Sequence, residues 1–277
     1  MRGRVSTLER LVKKSVLEQF KNFDPYLVAS FYESTNSDYV AVNAIKHVLA
    51  NPPEKDDKWA YNLWGVILMK HKFYDIAVNK FNKALLLDNT FFLPYFNLGQ
   101  IAILDSNYSY AIENFNKALK SNKTFERAYI GIASTYKKRK KLDSALFYID
   151  KSLELNDKFI QGHYEKGEIY FIMGDTIAAL ESLDKVLELD NTHVGSYYIL
   201  ATIKLFQKKM SSARQLIARA YQLDKTNIQV AKFYQHCLKA DGDTTSALKV
   251  QKELDLLPIS KSIDLYTSQI LEERLIH

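Results

Sequence analysis

Cysteine occurs once in the chain, as Cys237, so no internal disulfide can form and a small stapled secreted scaffold is excluded. Nine glycines and five prolines are too few for the tight turns of a β-rich chain of this length, so the chain reads as helical. The longest apolar stretches, such as residues 197–203, fall far short of the roughly 20 residues of a membrane span. The amino-terminal stretch from Met1 to Phe20 carries Arg2, Arg4 and Arg10 but lacks the apolar block of a secretory signal, and Glu9 and Glu18 break the acid-poor pattern of a mitochondrial presequence. These missing signals lead to an expected cytoplasmic location. Chemistry-bearing motifs are equally scarce. The six histidines are dispersed without metal-ligand spacing, and no glycines form a phosphate-cradling loop. Glu165 and Glu168, at i and i+3, read as a solvated or orienting pair rather than as general acid and base. No catalytic residue, metal or cofactor is expected.

What the sequence does have is a period. With 47% hydrophobic and 25% charged residues it has the balance of a folded chain, and the alanines Ala77, Ala111, Ala145, Ala179, Ala213 and Ala247 recur with a strict period of 34. Twelve residues before each stands a small residue in five cases of six: Gly65, Gly99, Ala133, Gly167 and Ala201, with Gln235 the exception. In the unit beginning at Lys58, Tyr61, Trp64, Gly65 and Leu68 share one helix face, and Ala77, Phe81 and Ala84 share the next. A large ring opposite a glycine lets two helix axes approach without leaving a void. Phe115, Ile149, Leu183 and Ile217 repeat the large position. Polar breaks such as Leu87-Asp88-Asn89 stop one helix and are expected to cap the next.

These positions resemble the tetratricopeptide repeat family, whose 34-residue unit has a small residue, an aromatic and two alanines at these separations. The match covers about residues 58–257, with Gly167, Tyr170, Gly174, Asp175 and Ala179 nearest to the family pattern. It implies an all-α, right-handed superhelical solenoid of helix-turn-helix repeats. Three regions follow: residues 1–57, with amino-terminal helices and a degenerate repeat around Ala41, Ile45 and Val48; six tandem repeats over 58–257; and a capping helix in 258–277. Gln235 and Gln251 occupy sites that are elsewhere small or apolar, which suits a terminal repeat.

In the resembled family the first helix of each unit lines a concave wall that binds peptides. One step around from the core stripe stand Trp59, Val66 and Met69; Phe96, Gln100, Ile103 and Leu104; Ile130, Ser134, Lys137 and Lys138; Tyr164, Glu168, Phe171 and Ile172; and Tyr198, Thr202, Leu205 and Phe206. Such a wall is apolar and aromatic, and some of it packs between repeats. The rest is expected to hold an amphipathic helix or extended apolar peptide of a partner, with Glu168, Lys137 and Lys138 setting orientation. Self-occupancy by residues 7–20 and homodimerisation are other ways to cover it. The carboxylate clamp of some relatives is not expected, because Asn97 and Arg127 fit it while Asn62, Val66 and Gly131 do not.

The run Lys137 to Lys141 falls at the end of a first helix, where cations complement the helix dipole. The rest of the wall is too poor in Lys and Arg to track a nucleic-acid backbone. The chain's excess charge, +6 overall, lies in residues 1–138, which hold 19 Lys and Arg against 13 Asp and Glu. The sequence thus reads as a non-enzymatic scaffold or adaptor. The alternative is a regulatory or targeting subunit docked to an enzyme complex, or an RNA-associated repeat protein.

Overall fold

The computed structural model describes residues 38–50 and 57–256, and every element among them is an α-helix. The amino-terminal helices expected before residue 38, including 7–20, and the capping helix expected in 258–277 lie outside the described residues. Two compact units meet in sequence between Lys123 and Thr124. The first contains α1 (Asp38–Val48), α2 (Asp57–Lys70), α3 (Tyr74–Leu87), α4 (Phe92–Leu104) and α5 (Tyr108–Ser121). The second contains α6 (Glu126–Lys138), α7 (Leu142–Leu155), α8 (Ile160–Met173), α9 (Thr176–Leu189), α10 (Val194–Phe206), α11 (Met210–Leu223), α12 (Ile228–Ala240) and α13 (Thr244–Leu256). From α2 onward, consecutive helices pair as hairpins, and neighbouring hairpins pack on one another within each unit. The architecture is an all-α helical-repeat solenoid.

The seam inside each hairpin follows the size rule legible in the sequence. A Cβ on Gly65 would stand 2.4 Å from the Phe81 ring, and one on Gly99 would stand 2.7 Å from the Phe115 ring. Gly167 faces Leu183 in the same way, at 2.8 Å. Where the small residue is alanine, the partner shrinks to a branched aliphatic: Ala133 clusters with Ile149, and Ala201 with Ile217. All five large partners are fully buried, so each small residue is covered by its large partner. In the last hairpin the Gln235 amide donates to Gln251 Oε1 (2.9 Å) and to the Ala247 carbonyl (3.2 Å). A hydrogen-bonded amide pair there replaces the dry contact.

The turn inside each hairpin is equally regular. Lys72, Ser106, Lys140, Gly174, Lys208 and Gly242, which keep the same period, all have φ between 57° and 82°. This left-handed residue brings the next amide back to a carbonyl five residues earlier, as in Asn107 to Ala102 (2.9 Å) and Asp175 to Tyr170 (2.9 Å). Four of the six positions hold residues that pay for this conformation in steric strain.

The links between hairpins correct one expectation. Asp88 does not cap the helix that follows it. Its carboxylate instead accepts from the Thr90 amide (2.9 Å) and hydroxyl (2.6 Å), and Asp190 with Thr192 and Asp224 with Thr226 repeat the turn. The N-cap position falls further along each link, on Phe91, Phe125, Phe159, His193 and Asn227. Only His193 and Asn227 there accept a capping bond, from Ser196 and from Gln229 and Val230 respectively. At the start of the first unit, Ala41, Val42 and Ile45 of α1 join the core of α2 and α3. Asp38 takes the ammonium of Lys70 (3.1 Å) and lies 2.8 Å from His71 Nε2.

Candidate functional site

First helices of successive hairpins touch within each unit: α2 with α4, α6 with α8, and α8 with α10. The residues one step off the hairpin seam are therefore divided between inter-hairpin packing and free surface. In the first unit, Phe96 is only 5% exposed and lies 5.7 Å from Phe115, ring to ring. Trp59 is half-buried, edge-on to Phe91 at 4.4 Å, while Val66 and Met69 pack against the core of α2 and α3. Gln100 and Ile103 are half-buried, whereas Leu104 is 59% exposed. Between α2 and α4 the buried amide of Asn97 donates to Asn62 Oδ1 (3.1 Å).

In the second unit Ile130 is buried with Ala133, Ile149 and Ile169. Tyr164 leans on His193 at 4.7 Å, and its ring lies 3.0 Å from where a Cβ on Gly195 would stand. Glycine at 195 is what admits that ring. Burial pushes the Tyr164 hydroxyl pKa up and the His193 pKa down. Tyr198 is half-buried, edge-on to Phe233 at 5.5 Å, and Ser134, Thr202 and Leu205 are also half-buried. The open part lies at the carboxyl ends of α8 and α10. Phe206 is 75% exposed and lies 6.2 Å from the half-buried Phe171, and the exposed Ile172 and Met173 follow Phe171 in sequence. Met173 belongs to this surface although it stood outside the expected wall.

A fixed charge cluster stands beside these rings. Lys137, at the end of α6, reaches across to α8 and donates to Glu165 (2.5 Å) and Glu168 (3.0 Å). Gln161 donates to the other Glu165 oxygen (3.0 Å). Glu165 is thus a buried ion-pair partner, 9% exposed, rather than a solvated carboxylate. Burial alone would lower the Lys137 pKa, but the two carboxylates outweigh it and the net direction is up. Lys138 and the three residues after it are exposed at the helix end. No signal near Lys137 in the sequence points to Glu165, which stands on the next hairpin. Cys237 is fully buried among Ala201, Ile217 and Leu238, and burial raises its thiol pKa, so it packs rather than reacts. Among the described residues, no group of three His, Cys, Asp or Glu side chains could hold a metal ion.

Paired helices, a small-large seam and a left-handed turn in every unit define a helical-repeat protein, a class whose function lies on its surfaces. The tetratricopeptide repeat family model matches residues 126–159 and 160–193. Solved structures of similar fold include TTC0263, a thermophilic repeat protein of Thermus thermophilus, with 19% identity over 65% of this chain and 98% of that one (TM-score 0.57). They also include yeast Tom70, with 20% identity over 95% of this chain and 57% of that one (TM-score 0.70). The structure of pilF from Pseudomonas aeruginosa has 18% identity, with 79% and 99% covered (TM-score 0.62). No curated protein matches the sequence. Residues 126–193 thus match the tetratricopeptide repeat family, and the solved structures share its fold. No described helix is long and apolar enough to cross a membrane.

Proposed function

We propose that the chain is a non-enzymatic adaptor whose second unit binds a partner peptide or amphipathic helix along α6, α8 and α10. Tetratricopeptide repeats are in general protein-interaction scaffolds. The observation that carries the finer reading is the apolar end of α8 and α10, where Phe171, Ile172, Met173 and Phe206 adjoin an ordered Lys137–Glu165–Glu168 cluster. Partly exposed rings supply contact area at low entropic cost, and a cluster already held by hydrogen bonds orients a ligand without further ordering.

The test is selection from a random peptide library on the full chain beside a Phe171→Asp, Phe206→Asp variant. Phe206 is largely exposed and Phe171 half-buried, so the variant is expected to stay helical by circular dichroism. Phe96 is unsuitable for this purpose, because a charge at so buried a site would test folding. Apolar peptides enriched on the parent and lost on the variant support the reading. Equal enrichment on both rejects it.

A further inference from the structure

Lysines of the first unit differ in what they meet. Lys58, Lys70 and Lys117 each meet a carboxylate, at 2.6 Å, 3.1 Å and 2.7 Å. Around Trp64 the arrangement is different. The Lys80 ammonium of α3 stands 3.4 Å from the centre of the buried Trp64 ring, and the Lys46 ammonium of α1 stands 5.7 Å from the same centre. One turn along α3, Lys83 reaches the Tyr61 ring at 5.6 Å. Among the described residues, neither Lys80 nor Lys83 has a carboxylate partner; rings from α2 are what they meet.

Such a cluster is an electrostatic cost that the fold alone does not require. Like charges three residues apart on a helix repel, and a half-buried ammonium loses hydration that a ring face replaces only in part. Burial, then the charges of Lys83 and Lys46, lower the Lys80 pKa to about 8. An anion lying beside Lys80 and Lys83 would relieve both costs. Its valence follows from the surroundings: two neighbouring ammonium groups that meet only rings favour a dianion over a carboxylate. The donor type agrees, since compact ammonium groups bind phosphate as point charges and lack the planar fork that grips carboxylates.

We propose that Lys80 and Lys83, with Lys46 beside them, form a binding site for a phosphoryl dianion, either free phosphate or the phosphomonoester headgroup of a lipid. The site belongs to the first unit and is independent of the peptide-binding reading.

The test uses the full chain with Trp59→Phe, which leaves Trp64 as the single indole. Inorganic phosphate is titrated at ionic strength held constant with sodium chloride, and Trp64 emission is followed. A saturable change is expected, about tenfold weaker in a Lys80→Gln, Lys83→Gln variant. Lys83 is exposed, so Lys83→Gln alone retains the fold and provides the control against unfolding, with weakened binding expected. Acetate at the same ionic strength should not compete. A second arm measures co-sedimentation with phosphatidylcholine vesicles with and without phosphatidic acid. A lysine-dependent response to phosphate identifies free phosphate as sufficient; lysine-dependent sedimentation needing phosphatidic acid, without that response, identifies the headgroup. An equal response to acetate, binding that survives the substitutions, or no binding in either arm overturns the proposal.

Discussion

Replacing Ser106 with glycine should stabilise the first unit. Ser106 sits at the left-handed turn of the α4/α5 hairpin with φ 57°, and its side chain is exposed. An L residue there costs about 1–2 kcal/mol relative to ordinary helical backbone. Glycine removes that cost but gives back about 0.5–1 kcal/mol through the greater freedom of the unfolded chain. The expected net gain is about 0.5–1 kcal/mol. At Lys72, Lys140 and Lys208 the gain should be smaller, because each substitution also removes a cation beyond a helix carboxyl end, worth about 0.3–1 kcal/mol. Gly174→Ala is the mirror experiment. With φ 82° and nothing within 4 Å of the added Cβ, its loss would be conformational alone. Hydrogen exchange is the suitable assay, because repeat arrays open locally and a single global transition is not assured. The amide of Asn107 donates to Ala102 across the turn at 2.9 Å, and a gain of this size would slow its exchange about two- to fivefold. Unchanged or faster exchange in Ser106→Gly, together with a neutral Gly174→Ala, would refute the strain argument.

Gly65→Ala should cost about 1–3 kcal/mol in urea unfolding, since the new methyl meets the buried Phe81 ring at 2.4 Å; adding Phe81→Leu should restore most of it, and strictly additive losses would contradict the seam. Lys137→Met leaves two adjacent carboxylates without their cation and should lower stability at pH 7 by about 1 kcal/mol, discounted for partial exposure, in thermal melts. Adding Glu165→Gln should recover the loss; no recovery would mean that packing of the lysine stem is what matters. Lys58 and Thr90 hold the Asp88 carboxyl below the usual range, and Thr192 and Thr226 do so for Asp190 and Asp224. A depressed folded pKa gives stability that is full above the unfolded value of about 4 and is lost as pH falls below it. The triple Asp→Asn variant should therefore show a flatter loss of melting temperature below about pH 4 than the parent, and an equal slope would remove these turns from the acid response.

The seam was legible because each hairpin must solve one packing problem with the same two helices, so Gly65 and Phe81 signal each other at a fixed spacing across one turn. The wall was less legible. A first-helix side chain faces the next hairpin as well as open space, and helical periodicity does not distinguish the two. Phe96 and Ile130 went to packing, while Phe206 remained exposed. Glu165 read only as solvated or orienting because its partner Lys137 lies on another hairpin, where no local pattern reports it. Asp88 looked like a helix cap because composition marks the polar break without saying which residue closes onto which amide. Nothing in a periodic pattern announces that Lys80 would lie over the Trp64 ring, since α3 alone places it merely beside Phe81.

The paired sizes across each seam make whole hairpins, and not single helices, the exchangeable parts of this chain. Joining α6 to α3 would set Ala133 against Phe81 and overfill the seam. Recombination that cuts at the polar links between hairpins keeps every matched pair together. Cuts at the left-handed turns separate the pairs, so duplication or shuffling of this array is constrained to proceed in steps that begin and end at those links.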